Sequence, residues 1–236
     1  MTVDHSDLSP RWFSRLRLRR DSPIQAARAA MLGASTTRDR GHALVWLAFA
    51  DDPDARRDFL FRETTDWVYC VSARPPVDDG AVWEIETKAY DPAPPVGMTI
   101  GFSLRAAPMV SIKTGRRLSA KVNMVARARE ALRAEDPAAA FGPDRVRAAA
   151  LPWLLDRAAG IGLAIDEATL RVDGYRHDRL PRQDGPPIRF ASIDYEGTAL
   201  VSDTDAVRRA LLLGVGRGKA YGCGLLLIRP LGREAE

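Results

Sequence analysis

Five glycines fall within eleven residues near the C-terminus, in Gly214-Val215-Gly216-Arg217-Gly218-Lys219-Ala220-Tyr221-Gly222-Cys223-Gly224. Backbone of this kind can approach a polyanion closely, because glycine tolerates positive φ and has no side chain to hold a ligand away. Arg217 and Lys219 add charge where successive N–H groups could form an anion-binding concavity. A second candidate is His42, near the start of an apolar helical stretch. In a first helical turn the macrodipole disfavours imidazolium, and a histidine kept near neutrality can take or give a proton. Single histidines of this kind are nonetheless more often packed or solvated than catalytic. A third candidate is a basic segment with few acids, holding Lys113, Arg116, Arg117, Lys121, Arg127 and Arg129. Such a run is usually a solvated face.

Two nucleotide readings of the glycine segment fail. Ala220 stands where a P-loop needs a hydroxyl for Mg²⁺, and an apolar strand follows where a helix is required. Nor does the segment open a βαβ unit, as a dinucleotide fingerprint would. We therefore expect no nucleotide cofactor. Gly214 alone reads as a helix cap, which leaves four glycines and two cations unexplained.

Composition narrows the setting. A chain of 236 residues with 46% hydrophobic and 28% charged content can bury a real core as one large or two small domains. Only four of its 35 basic residues are lysines. Arginine's planar fork suits phosphate and base edges, although a GC-rich genome would give the same excess. Two cysteines, Cys70 and Cys223, cannot build a disulfide framework or a four-ligand zinc site. The three histidines never fall in a metal-ligand spacing, no signal peptide is visible, and no apolar stretch approaches bilayer length. These features predict a soluble, cytoplasmic protein without metal or cofactor.

The elements that must position the candidates follow from periodicity. Trp12, Leu16 and Leu18 share one parity and Arg11, Arg15, Arg17 and Arg19 the other, a half-buried strand with a basic wet face. Helices are expected at 23–32 and 39–50, then strands at 59–61, 67–71 and 82–88. The proline-rich 91–95 reads as a linker and sets a domain boundary, giving domains 1–95 and 96–236. The second half reads as a strand at 98–104, the basic segment, a helix at 151–159 and strands at 170–175 and 188–195. A helix at 203–213, capped by Asp203 and Gly214, and a strand at 223–228 complete it. This order is β-α-β-β-α-β, the ferredoxin-like (RRM-like) unit. The first half is an irregular copy, with Pro75, Pro76 and Gly80 where a second helix belongs. The expected fold class is α+β, with two ferredoxin-like domains in tandem.

The glycine segment with its following strand resembles the C-terminal loop of the CasE family, CRISPR RNA-processing endoribonuclease subunits of type I-E Cascade. A second match is His42-Ala43-Leu44-Val45-Trp46-Leu47-Ala48-Phe49, followed after a gap by Arg57-Asp58-Phe59-Leu60-Phe61. A weaker third is Phe102-Ser103-Leu104-Arg105-Ala106-Ala107-Pro108, before the basic segment. The resemblance implies RNA cleavage on the 3′ side of a repeat stem-loop without metal, the 2′-OH attacking its own phosphate to leave a 2′,3′-cyclic phosphate and a 5′-OH. It implies His42 as the catalytic residue and RNA contacts from Lys113, Arg116, Arg117, Lys121, Arg127, Arg129, Arg217 and Lys219. The glycine loop of Gly214, Gly216, Gly218, Gly222 and Gly224 would hold or support RNA. The implied partners are CRISPR repeat RNA and other Cascade subunits. One position departs from the family: Asp39 stands where members carry a tyrosine three residues before the histidine. Asp39 reads as a helix N-cap, which leaves Arg38 or Arg40 to support the transition state. It also keeps open an inactive RNA-binding or scaffold subunit of the same fold.

Overall fold

The computed structural model describes residues 8–19, 45–49, 57–77, 82–113, 119–180 and 188–232. Its first unit is an antiparallel sheet of β1 (Arg11–Leu18), β2 (Phe59–Glu63), β3 (Val68–Ser72) and β4 (Trp83–Tyr90), in the order β2-β3-β1-β4. Period-two alternation divides its faces. Leu16, Phe59, Phe61, Cys70 and Trp83 point into one core with Val45, Ala48 and Phe49. Phe49 stacks on Phe59 at 4.6 Å between ring centroids. Burial pushes the Cys70 thiol well above its ordinary value, so it packs as an inert apolar group. On the opposite face Arg15 and Arg17 flank the Trp67 ring, with Arg15 paired to Glu86 and Arg17 to Glu84.

The second unit holds β5 (Thr99–Ala106), β8 (Leu163–Ile165), β9 (Arg171–Leu180), β10 (Ile188–Val201) and β11 (Leu226–Pro230), in the order β11-β5-β10-β8. The 14-residue β10 carries both β8 and β9 along one edge. In each half the last strand lies beside the first, and the first beside the next-to-last (β3 in the first unit, β10 in the second), the strand order of a ferredoxin-like sheet. Among the described residues three α-helices cover the second half: α1 (Met124–Glu135), α2 (Pro143–Ala158) and α3 (Thr204–Leu213). Ile100, Phe102, Leu104, Trp153, Leu154, Tyr195, Val207 and Leu211 share its core.

Several elements differ from the sequence expectation. The basic segment is a hairpin, β6 (Met109–Lys113) with β7 (Ser119–Asn123), running into α1. Val110 opposite Val122 and Ile112 opposite Ala120 supply a strand alternation that the cations obscure. Asn123 ends the strand and caps α1, its Oδ1 accepting from the Val125 and Ala126 amides at 3.1 Å. Helix α2 starts at Pro143, eight residues before the apolar stretch that signalled it, with Pro143 in its first turn. β11 begins at Leu226 rather than Cys223, because Gly224 turns the chain at φ +87°. His177, two residues beyond the strand expected at 170–175, lies within β9 opposite Ala191. The 91–95 segment is irregular, as expected, and Pro94 O accepts from Thr204 Oγ1 at 2.8 Å. The helix at 23–32 and most of that at 39–50 lie outside the described residues.

Candidate nucleic-acid interface

The two sheets meet across Leu60 and Val71 of the first and Leu225, just before β11 of the second, with Phe13, Tyr69, Tyr90 and Leu227 around them. β2 makes this junction because its alternation serves two masters. Phe59 and Phe61 face their own core, while Leu60 and Arg62 face the other sheet. Arg62 donates from Nη1 to Ser103 Oγ at 2.7 Å, and its Nη2 lies 3.5 Å from Asp194 Oδ1. Arg105 grips the same carboxylate with two donors, Nε to Oδ1 at 2.8 Å and Nη2 to Oδ2 at 2.9 Å. Burial lowers the Arg105 guanidinium, but Asp194's hydrogen bonds and charge outweigh it and hold it above its ordinary value. Arg62 stays below its ordinary value, chiefly through burial, with Arg105's like charge adding to it and Asp194 opposing. Gly174 makes room for the carboxylate: a Cβ there would lie 2.7 Å from Asp194 Oδ2.

The glycine loop lies at the rim of this junction. All five glycines have positive φ, between 72° and 87°, so the handedness of the turn itself demands them. Several loop amides donate to protein carbonyls: Val215 to Gly224, Tyr221 to Gly218, and Gly224 to Arg105, each at 2.8 Å. The loop is thus mainly a folded turn, and the expected row of amides facing an anion is in part used up internally. It docks on β2, where a Cβ on Gly222 would meet the Phe61 ring at 3.3 Å. Lys219 opens a short 3₁₀ turn (Lys219–Tyr221), and its Nζ donates to Leu213 O at 2.5 Å. That bond neutralises a carbonyl left over at the C-terminus of α3. An ammonium has three donors, so two remain for a ligand. Arg217 is exposed at the tip.

Gly224 gives a direct test of the turn. A Cβ there would sit 2.8 Å from Val215 O with φ at +87°. Gly224→Ala is expected to cost about 2 kcal/mol or more in urea unfolding, since a side chain at positive φ is strained by about 1–3 kcal/mol before any clash. Gly160→Ala, where a Cβ meets nothing within 4 Å, should change stability by less than about 0.5 kcal/mol.

Comparison with known proteins decides the family. A family model described as "CRISPR associated protein" matches residues 11–230. The "CRISPR system Cascade subunit CasE" of Escherichia coli (strain K12) is 30% identical over 200 residues, covering 80% of this chain and 90% of that protein. The chain belongs to the CasE family of CRISPR-associated proteins. Solved structures agree on the fold. "CRISPR endoribonuclease Cse3 bound to 19 nt RNA" superposes with TM-score 0.64 at 23% identity, covering 94% of this chain and 100% of that one. Thermus thermophilus Cse3 "bound to an RNA representing a pre-cleavage complex" superposes at 0.63 and 22% identity, with 94% and 100% covered. The tandem ferredoxin-like architecture expected from the sequence is therefore the fold of this CasE-family chain.

Of the site residues expected for a CasE-family protein, His42, Arg38, Arg40, Arg116 and Arg117 lie outside the described residues. Lys113 and Lys121 come together on the β6–β7 hairpin: Lys121 pairs with Ser111, two residues from Lys113, and all three are exposed. Arg127 is exposed and Arg129 half-buried on α1, which continues directly from the hairpin. The hairpin base is fixed to the second unit by Trp153 Nε1 of α2 donating to Met109 O at 3.1 Å and by Asn123 Nδ2 donating to Ala191 O of β10 at 3.0 Å. Arg217 and Lys219 belong to the separate glycine-loop rim. Among the described residues there is no cluster of three or more His, Cys, Asp or Glu able to hold a metal, and no helix long and apolar enough to cross a membrane. Sequence reading missed Arg57 at this rim, because within Arg57-Asp58-Phe59-Leu60-Phe61 it reads as a solvated charge before a strand.

Proposed function

We propose that this CasE-family chain is an endoribonuclease that cleaves CRISPR repeat stem-loop RNA to guide RNA and stays bound to its product as a Cascade subunit. The observation that carries the reading is family membership: the E. coli relative is a Cascade subunit, and Cse3 of the same fold is an endoribonuclease seen bound to RNA. The fixed basic hairpin supports it, since two exposed lysines on one face of a two-stranded ribbon suit the phosphates of a folded RNA, which is recognised largely through shape and backbone.

The reaction is an internal transfer. The ribose 2′-OH attacks the adjacent phosphorus as the bond to the 5′-oxygen breaks, leaving a 2′,3′-cyclic phosphate and a 5′-OH. The nucleophile is already held beside its target, so a metal-bound water is not required. His42 exchanges the proton, and Arg38 or Arg40 offsets charge on the phosphorane. Asp39, in place of the family tyrosine, favours one second reading, a slow or inactive RNA-binding scaffold.

Incubation with end-labelled repeat stem-loop RNA tests the proposal. Fragments ending in a cyclic phosphate and a 5′-OH are expected. Tight binding with intact RNA contradicts the enzyme and leaves the scaffold. Replacing Lys113 and Lys121 with alanine should weaken binding of any repeat sequence and lower the slope of log Kd against log salt by about 1 per lysine, measured by filter binding.

A further inference from the structure

Two cations converge where the glycine loop docks on the start of β2. Arg57 stands two residues before that strand, and its Nη1 is shut off from solvent without a hydrogen-bond partner. Lys219 opens the 3₁₀ turn that packs against β2, with one of its three donors on Leu213 O. Both are half-buried. Burial holds Arg57 below its ordinary value, and burial together with Arg57's like charge does the same to Lys219. Tyr221 opposes part of that effect on Arg57. The carboxylate next in sequence, Asp58, is engaged elsewhere, accepting from Arg74 Nε at Oδ2, 3.1 Å away.

Packing two like charges together in a poorly solvated place opposes folding, so their joint presence calls for a compensating ligand. We propose that Arg57 and Lys219 together form a binding site for one phosphodiester group of the RNA backbone. The inference rests on the RNA-binding reading above and adds a contact point away from the hairpin. The chemistry selects the ligand: a guanidinium fork matches two phosphate oxygens, and an ammonium adds a compact charge from the side.

The test pairs binding with stability for wild type, Arg57→Gln and Arg57→Lys. Arg57→Gln should weaken repeat RNA binding about tenfold or more and lower the salt slope by about 1. Its melting temperature should stay level or rise, because a like charge beside Lys219 has gone. Arg57→Lys should keep the slope and recover part of the affinity. Unchanged affinity and slope in Arg57→Gln would overturn the proposal, as would a melting temperature that falls as it does for a packing residue. A second arm uses inorganic phosphate against chloride at equal ionic strength: phosphate should raise the melting temperature of wild type but not of Arg57→Gln. If wild type binds no repeat RNA, the proposed function fails by itself. Phosphate stabilisation that depends on Arg57 would then still support the anion site, and its absence would overturn that too.

Discussion

Asp194→Ala is expected to lower the stability of the protein by about 3–5 kcal/mol, the cost of leaving buried charge uncompensated. The carboxylate takes two donors from Arg105 and faces a third from Arg62. Those arginines are only 8% and 5% exposed. Without Asp194 two guanidiniums of like charge remain in one poorly solvated junction, their other anchors being Ser103 Oγ for Arg62 and Glu63 O for Arg105. Asp194→Asn should cost nearly as much, since shape is kept and charge is not. Arg62→Met should cost clearly less, because it removes one cation and leaves the bidentate Arg105–Asp194 pair intact. Urea unfolding of the three variants checks the order. A loss below about 1 kcal/mol for Asp194→Ala would mean that water or rearrangement compensates the arginines and that the brace does not hold the sheets together.

His42→Ala should reduce single-turnover cleavage of repeat RNA about 10²- to 10⁴-fold, the usual contribution of a positioned acid or base. Affinity should change little, because the contacts assigned to binding lie on the hairpin and the glycine-loop rim. A parallel loss of affinity and rate would move His42 from proton transfer to substrate holding. Equal, barely measurable rates in wild type and variant would favour the scaffold reading that Asp39 raises.

Much of the fold is legible where one period dominates. Trp12, Leu16 and Leu18 against the arginines mark β1, and Asp203 with Gly214 brackets α3 because caps are chosen by local hydrogen bonding. The β6–β7 hairpin is hidden because Lys113 and Lys121 share a face with Ser111, so composition reads as a charge run before alternation shows. The brace is hidden for another reason. Arg62, Arg105 and Asp194 lie on three strands of two sheets, and no local pattern reports which distant residues tertiary packing brings together. The glycine segment was half legible. Its glycines mark an unusual backbone, but positive φ at all five positions explains them through the turn, and charge at the rim comes from Lys219 together with a residue distant in sequence, Arg57.

The most direct test of the central claim is a repeat RNA carrying a single 2′-deoxy at the scissile nucleotide, compared with the all-ribose RNA in excess EDTA. Internal attack predicts cleavage of the all-ribose RNA alone, with both RNAs bound equally well. Cleavage of the deoxy substrate, or cleavage of the all-ribose RNA only when Mg²⁺ is restored, would contradict it.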